Sequence, residues 1–308
     1  MTTFVRHSYV LNNNYFMSKL RILYVASEIN PFLQTSEVAD FVRSLPQAMQ
    51  EKGMEIRILV PRFGLINERK NRLHEVVRLS GINITVGDEE KPLVIKVASV
   101  PSAKLQVYFI DNEDYFHRKA VFHDKDEKFY ADNDERAIFF CKGVLETVKK
   151  LGWAPDIVHC NDWMTSLIPL YIKTTYKNDP LFVNTKTVFT IYDNKFTYKF
   201  KGDLLDKVKM LDIEDDMLTT LKSLDYEGFI KLGMEYSDAV IKSNEGIYTF
   251  VAVDKMGKTV SVPPLEPETK IEKQRYIAAL RRRQLSLVIA GKMNPLEATE
   301  LKSLFDEE

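Results

Sequence analysis

The sequence predicts a doubly wound, Rossmann-like α/β fold with a parallel sheet, followed by a short helical C-terminal extension. Short runs rich in β-branched and aromatic residues alternate along the chain with longer segments of helical periodicity. Continuous apolar runs of this kind are typical of strands buried on both faces of a parallel sheet. A strand, a helix and a second strand within residues 21–60 form a βαβ unit, and such units connect with a right-handed crossover.

The predicted elements follow from these runs in chain order. Strands are predicted at residues 21–26, 56–60, 93–100, 106–110, 157–160 and 187–191. Between the first two strands, apolar residues with helical spacing predict a helix that Thr35 or Ser36 caps at its start and Gly53 at its end. Two further helices are predicted at 133–151 and 162–176.

The chain divides into three regions by composition. We expect residues 1–19 to be a disordered extension, and translation could start at Met17 instead of Met1. These residues have no continuous apolar core of the kind that a signal peptide needs. Residues 20–255 form the predicted α/β domain. Residues 256–308 are predicted to hold a stiff proline-rich linker at 262–267 and two charged helices at 272–287 and 294–305.

Overall charge and cysteine usage exclude several classes of protein. The 43 lysine and arginine residues nearly balance the 44 aspartate and glutamate residues, so we expect neither nucleic acid nor a membrane as partner. No apolar stretch is long enough for a membrane helix. Two cysteines, Cys141 and Cys160, cannot form a disulfide framework, and we therefore expect a reducing, cytoplasmic environment. We expect neither a metal nor a cofactor.

Several segments carry recognisable motifs in a fixed order. Residues 25–64 contain VASE, PF, AD, LP and PRFG; later segments read YFIDN at 108–112, DN at 132–133 with Arg136, and GWAPDIVHCNDW at 152–163. These segments resemble the motifs of bacterial glycogen synthases and plant starch synthases, which read VASExxPFxKTGGLADV, YFIDN, DNxxRF and GWxPDIVHxHDW. The resemblance covers about residues 20–250. It identifies the chain as a degenerate and truncated N-terminal half of such a synthase, with the second half missing.

The resemblance implies a two-domain glycosyltransferase of the GT-B type. Such enzymes transfer glucose from ADP-glucose to the non-reducing end of an α-1,4-glucan with retention, and their N-terminal domain mostly holds the acceptor. We therefore expect the acceptor-side half of a hexosyltransferase with weak or no activity alone. Its partners would be α-glucan or glycogen and a protein that supplies the missing donor domain. The alternative is a non-catalytic glucan-binding or regulatory protein of glycogen metabolism.

Matched positions give the candidate substrate-binding residues. The family has an aspartate in the loop that contacts ADP, a polar pair that faces the active cleft, and an aspartate and tryptophan at a strand end. In this chain the candidates are Thr35, Asp40, Asp132, Asn133, Asp162 and Trp163.

The phosphate-binding loop departs from the family pattern. Gln34 replaces the family lysine, and Ser36 and Glu37 replace two glycines, so the local charge falls by two units. A helix N-terminus is an anion site only where backbone and cations can approach the phosphate. These three residues therefore oppose ADP-glucose binding.

Two other departures concern the reaction centre. Asn161 replaces the family histidine next to the transferred sugar, and Tyr192 and Asp193 replace a His-Asn pair. His159 matches a second family histidine but ends a buried strand, where a structural role is expected. The catalytic residue is therefore unknown from the sequence, and whether the chain is an active enzyme stays open.

Overall fold

The computed structural model describes residues 19–101, 103, 105–210, 212–244 and 247–251, together with residues 277, 284, 294, 297 and 299. The chain divides into two compact units, Met1–Val260 and Ser261–Glu308. In the second unit, Ile277, Gln284 and Thr299 have helical backbone, and they lie within the two helices predicted for the C-terminal extension. The rest of those helices, the linker at 262–267 and the predicted disordered extension up to residue 18 lie outside the described residues.

One mixed sheet forms the centre of the first unit. Within the described residues its strands are β1 (Arg21–Val25), β2 (Glu55–Pro61), β3 (His74–Glu75), β4 (Ile82–Val86), β5 (Glu89–Ser99), β6 (Gln106–Asp111), β7 (Ile157–Asn161), β8 (Lys186–Ile191), β9 (Ala239–Asn244) and β10 (Ile247–Val251). Their order is β10-β9-β8-β7-β1-β2-β6-β5-β3, and β4 pairs with β5. All neighbours from β9 through β1 to β6 are parallel, which confirms the predicted Rossmann-like α/β fold.

The edges of the sheet correct one prediction. The run at 93–100 was expected to fit a parallel strand, but it lies in β5, which is antiparallel to β6 and to β4. Gly87, with φ of +58°, makes the tight turn that joins β4 to β5, and a hairpin of this kind forces the antiparallel direction. β5 also alternates between buried and more exposed positions, as expected near a sheet edge.

Helices flank this sheet. They are α1 (Glu37–Glu51), α2 (Glu68–Asn71), α3 (Glu113–Phe116), α4 (Asn133–Leu151), α5 (Leu167–Lys173), α6 (Leu204–Val208) and α7 (Tyr226–Glu235), with 3₁₀ helices at Trp163–Thr165 and Asp215–Ser223. Ser36 caps α1 by accepting a hydrogen bond from the Val38 backbone N–H at 3.3 Å, and Gly53 follows its end with φ of +91°. Both caps and the bounds of α4 are as predicted.

The predicted helix at 162–176 is wrong in its extent. A 3₁₀ turn takes its first residues and α5 only its middle, because the Thr165 hydroxyl bonds the carbonyl of Asp162 and tightens the first turn. The backbone leaves the helical region at Thr174. Asp162 is consequently the residue at which the chain turns out of β7 rather than part of a regular helix.

The strand order places a topological switch point between β1 and β7. From β1 the chain continues to β2 on one side, and it reaches β7 on the other side only after β6 and α4. The carboxyl ends of β1 and β7 therefore diverge into different loops and leave a crevice, which is where open α/β sheets bind ligands. Among the described residues, no helix is both long and apolar enough to cross a bilayer.

Candidate functional site

A cavity of about 460 Å³ opens at this switch point. Its polar side chains come from the loops after β1, β7 and β8: Ser27, Glu28, Thr35, Ser36, Asp162 and Asn194. Its aromatic side chains are Phe122, Phe129, Trp163 and Phe196. Lys119, His123, Asp124 and Lys195 also line the cavity, and the two lysines and the histidine are exposed. The cavity thus brings together three of the predicted site residues, Thr35, Asp162 and Trp163.

Glu28 organises the loop after β1. It is buried, and its carboxylate accepts hydrogen bonds from the backbone N–H of Thr35, from the Thr35 hydroxyl at 2.8 Å and from the Ser36 hydroxyl. These bonds fold the loop back onto the end of β1 and fix the start of α1. The Thr35 side chain is consequently held by the protein and still borders the cavity.

Asp162 is the second carboxyl group of the cavity. Its Oδ1 accepts a hydrogen bond from the Trp163 backbone N–H at 2.8 Å, and its Oδ2 accepts one from the Asn194 amide at 3.0 Å. Burial raises the pKa of Asp162 to about 7, the negative charges of Glu28 and Glu37 add to this, and the two hydrogen bonds oppose it. Near neutral pH this carboxyl group is therefore present in both protonation states.

Asn194 links the two sides of the crevice. Its amide nitrogen also lies 3.3 Å from the hydroxyl of Ser36, while it donates to Asp162. Ser36 in turn donates to Glu28, so the two carboxyl groups are joined through one hydroxyl and one amide. The loops after β1, β7 and β8 are thereby held in one arrangement.

Stacked aromatic rings form the apolar side of the cavity. The Phe129 and Phe196 rings stack with centroids 4.6 Å apart, and Trp163 packs against Phe122 and Phe196 at 5.1 Å. Trp163 is buried, whereas the three phenylalanines are half-buried and present part of their rings to the cavity. A carboxyl-lined floor beside aromatic faces suits a polyhydroxylated ligand with an apolar face.

Comparisons with known proteins assign the family. The family model described as starch synthase catalytic domain matches residues 21–247. The chain belongs to this family. Glycogen synthase of Chlorobium limicola is 41% identical over 220 residues, which are 71% of this chain and 44% of that protein. Glycogen synthase of Chlorobaculum parvum is 38% identical over 242 residues, which are 76% of this chain and 48% of that protein.

A solved structure has the same fold. The catalytic domain of starch synthase IV from Arabidopsis thaliana, bound to ADP and acarbose, superimposes with a TM-score of 0.60 and 21% identity. The match covers 72% of this chain and 44% of that one. The chain thus spans less than half the length of these glycogen and starch synthases.

Each departure from the starch synthase pattern in the loop before α1 has an internal partner. Gln34 donates to Asp40 at 2.8 Å, Ser36 donates to Glu28, and Glu37 accepts a hydrogen bond from the Ser243 hydroxyl at the end of β9 at 3.1 Å. The loop therefore satisfies its polar groups within the protein, and Glu37 places a carboxylate at the N-terminus of α1.

Asn161 and Tyr192, two departures from the family pattern, contact each other. Asn161 is fully buried and donates to the backbone carbonyls of Val25 and His159, both at 3.1 Å. Its carbonyl oxygen accepts a hydrogen bond from the Tyr192 hydroxyl at 2.9 Å. Both residues that replace family histidines are thus bonded to one another inside the protein, and Asn161 does not line the cavity.

His159 is buried in the sheet. Its ring lies 2.7 Å from the hydroxyl of Thr190 and packs against Tyr24 and Phe41, with centroids 5.2 and 5.8 Å away. Burial lowers the pKa of His159 to about 3, so the ring is neutral at physiological pH. Its position at a packed strand is the structural one that the sequence suggested.

Asp40, a predicted substrate residue, lies outside the cavity. Its two carboxylate oxygens accept hydrogen bonds from the side chains of Asn30 and Gln34, each at 2.8 Å. Both partners belong to the loop before α1. Asp40 is exposed and holds this loop, so a role in binding remains a prediction.

Asp132 and Asn133 also lie outside the cavity. Arg118 binds Asp132 through both terminal nitrogens, one of them at 2.7 Å. Burial raises the pKa of Asp132, but these bonds outweigh it and hold the pKa below its usual value. Asn133 is fully buried and donates to the Phe122 carbonyl at 2.9 Å, so it positions one of the cavity's aromatic residues.

Sequence reasoning missed several cavity residues. Glu28 was visible within the VASE motif directly after a strand, which is where binding residues occur in this fold. Asn194 follows β8 in the same way. Phe122, Phe129 and Phe196 had no such signal, because they come from irregular segments far apart in the chain. Among the described residues, no group of three histidine, cysteine or acidic side chains could hold a metal ion.

Proposed function

We propose that this domain is the acceptor side of a glucosyltransferase that extends α-1,4-glucans from ADP-glucose. The observation that carries the proposal is the switch-point cavity, in which the carboxyl groups of Glu28 and Asp162 face an aromatic wall. Carboxylates and amides bind sugar hydroxyls, and aromatic rings pack against the apolar faces of pyranose rings. A glucan end fits this combination, because its hydroxyls pair with the carboxyl and amide groups and its ring faces with the aromatic rings.

Relatives of the chain support the choice of substrates. The curated relatives are named glycogen synthase, and the starch synthase of similar fold was solved with ADP and acarbose. Because this chain covers less than half of those proteins, the proposal assigns to it only the acceptor side. A protein that supplies the donor side is a further proposed partner.

Activity of these 308 residues alone should be weak or absent. At an effective dielectric constant near 20, a unit charge about 5 Å away contributes roughly 3 kcal/mol, and exposure to solvent reduces this to about 1 kcal/mol. The loss of a lysine at Gln34 and the gain of a carboxylate at Glu37 both act against a bound diphosphate. Glu37 also interacts favourably with the helix dipole that a phosphate would otherwise engage.

Elongation and binding assays test this proposal together. The purified chain is incubated with labelled ADP-glucose and glycogen, and glycogen binding is measured separately by affinity electrophoresis. We expect glycogen to retard the protein and the label to enter glycogen slowly or not at all. Sustained turnover by the chain alone, or no retardation by glycogen, would contradict the proposal.

Matched variants locate the binding site. Phe129→Ala removes a stacked ring from the cavity and should weaken the retardation, whereas Val183→Ala changes an apolar residue that is 56% exposed and outside the cavity lining. Equal effects of the two variants would place glucan binding elsewhere.

A cytoplasmic location is also proposed. Cys141 and Cys160 are both free and buried, which suits a reducing compartment. Fractionation of the cells that make the protein tests this, and recovery from an extracellular or periplasmic fraction would exclude it.

A further inference from the structure

A short segment without hydrogen bonds borders the switch-point cavity. Residues 195–199 lie between β8 and α6 and have no regular secondary structure. Within the described part of the chain, neither their backbone nor their side chains form a hydrogen bond. The residues on either side are anchored, since Asn194 donates to Asp162 at 3.0 Å and the Phe200 backbone N–H donates to the Leu224 carbonyl at 2.7 Å. We call residues 195–199 the strap.

Aromatic contacts hold the strap between its two anchors. Phe196 and Tyr198 are half-buried, and the other three strap residues are exposed. The Phe196 ring lies 4.6 Å from the Phe129 ring between centroids, and the Tyr198 ring lies 5.4 Å from it. The interplanar angles of these two contacts are 25° and 32°. Both strap rings also pack against Phe200, at 5.7 and 5.3 Å. Movement of the strap therefore breaks ring contacts and no hydrogen bond.

The opposite wall of the cavity is held by hydrogen bonds. Phe129 belongs to a small hairpin, in which the Tyr130 N–H donates to the Phe122 carbonyl at 2.9 Å and the Asp124 N–H donates to the Lys128 carbonyl at 2.8 Å. Segments with few hydrogen bonds open at a lower free-energy cost than hydrogen-bonded ones. The strap is consequently the wall that moves, and the hairpin is the wall that stays.

Mutual stacking covers ring surface that a sugar could otherwise use. Phe129 and Phe196 both line the cavity, yet their rings are nearly parallel and 4.6 Å apart, which is contact distance for two stacked rings. No pyranose ring fits between them at this separation. The cavity thus presents only the remaining surface of each ring, and the covered surface becomes accessible when the strap moves away from the hairpin.

Tyr198 stabilises the stacked arrangement from outside the cavity. It contacts Phe129 and Phe200 but does not line the cavity. Its hydroxyl has no partner among the described residues, so its contribution comes from the ring. A change at Tyr198 therefore alters the closed arrangement without removing a contact to a ligand in the cavity.

We propose that the strap is an autoinhibitory latch, which holds Phe196 on Phe129 in the resting domain and moves away when a sugar enters between strap and hairpin. Binding then requires the opened state, and the measured dissociation constant equals the intrinsic constant divided by the opened fraction. A weaker latch should consequently bind sugar more tightly. The part of this inference that concerns the ligand rests on the proposed function, whereas the opening itself does not.

Acrylamide quenching of Trp163 fluorescence measures the opening without any ligand. Trp163 is buried and its ring lies 5.1 Å from Phe196, so departure of the strap exposes it. The chain has two tryptophans, and Trp153→Phe leaves Trp163 as the only one. On this background Tyr198→Ala should raise the quenching constant about fivefold, the ordinary effect of one aromatic pair on an equilibrium. Tyr198→Phe keeps the ring, and Lys199→Ala changes an exposed strap residue, so both should resemble the parent.

Calorimetric titration with maltotriose, on proteins that keep both tryptophans, measures the effect on binding. Tyr198→Ala should lower the dissociation constant about fivefold, whereas Tyr198→Phe and Lys199→Ala should leave it within about twofold of the parent. A ring that only supported the fold or touched the sugar would give the opposite sign, because its loss would weaken binding. Tyr198→Leu, which keeps an apolar side chain without a ring, replaces the alanine variant if that variant does not fold.

The outcomes separate this proposal from the proposed function. Unchanged quenching in Tyr198→Ala, equal increases in Tyr198→Ala and Lys199→Ala, or weaker maltotriose binding by Tyr198→Ala than by the parent would each overturn the latch. Increased quenching in Tyr198→Ala without maltotriose binding by any of the proteins would support the opening and overturn the proposed function.

Discussion

Removal of the Tyr192 hydroxyl is the most direct test of the buried hydrogen bond between Tyr192 and Asn161. The hydroxyl donates to the Asn161 carbonyl at 2.9 Å, and both residues are buried. Tyr192→Phe keeps the ring and leaves the amide oxygen without a donor. An unsatisfied buried acceptor costs about 1–3 kcal/mol, which corresponds to a decrease in melting temperature of about 2–4 °C per kcal/mol in a domain of this size.

Urea denaturation followed by circular dichroism measures this cost. Tyr198→Phe is the matched control, because it deletes the same atom from a tyrosine whose hydroxyl has no partner among the described residues. The control should lie within about 0.5 kcal/mol of the parent, as is usual for changes at such positions. Equal stabilities of Tyr192→Phe and Tyr198→Phe would refute the reasoning. A double-mutant cycle with Asn161→Ala should give a coupling energy of about 1 kcal/mol.

Three further predictions concern the crevice. Because burial raises the pKa of Asp162 to about 7 in the folded state, its contribution to stability is fully present below about pH 4 and is lost as the pH rises to about 7. Urea titrations across this range should show a smaller decline in the unfolding free energy for Asp162→Asn than for the parent. Identical pH profiles of the two proteins would contradict this prediction. The double change Gln34→Lys with Glu37→Gly raises the local charge by two units and should tighten ADP-glucose binding about tenfold or more in a fluorescence titration. Gln34→Glu is the control, because it changes the charge at the same position in the opposite direction. Asn133→Ala removes the hydrogen bond to the Phe122 carbonyl and should lower the unfolding free energy by about 1–3 kcal/mol. It should also weaken the retardation by glycogen. Unchanged retardation would mean that Phe122 does not need this hydrogen bond.

Local patterns made the centre of the sheet predictable. Apolar runs identified the strands that became β1, β2, β6, β7 and β8, since burial on both faces leaves a direct trace in the sequence. The hairpin of β4 and β5 had a signal that was not used. Ile82, Ile84 and Val86 alternate with polar residues before Gly87, which is typical of a half-exposed strand leading into a turn.

The arrangement of the site was less predictable. Motif positions gave Thr35, Asp162 and Trp163, which the cavity does bring together. The same reasoning treated Asn161 and Tyr192 as separate departures, although 31 residues apart they form one hydrogen bond. A linear pattern contains no information on such pairing, because partners are set by strand register rather than by spacing along the chain.

Asp162 occupies a backbone conformation that few residues tolerate. Its φ of 70° and ψ of 171° lie in a region used almost only by glycine, at a cost of about 1–3 kcal/mol for a residue with a side chain. A library selected only for thermal resistance should therefore accept glycine at this position, whereas one selected for glucan retention should keep the carboxyl group. Glycine in the first library and aspartate in the second would show that the carboxyl group serves glucan binding rather than stability.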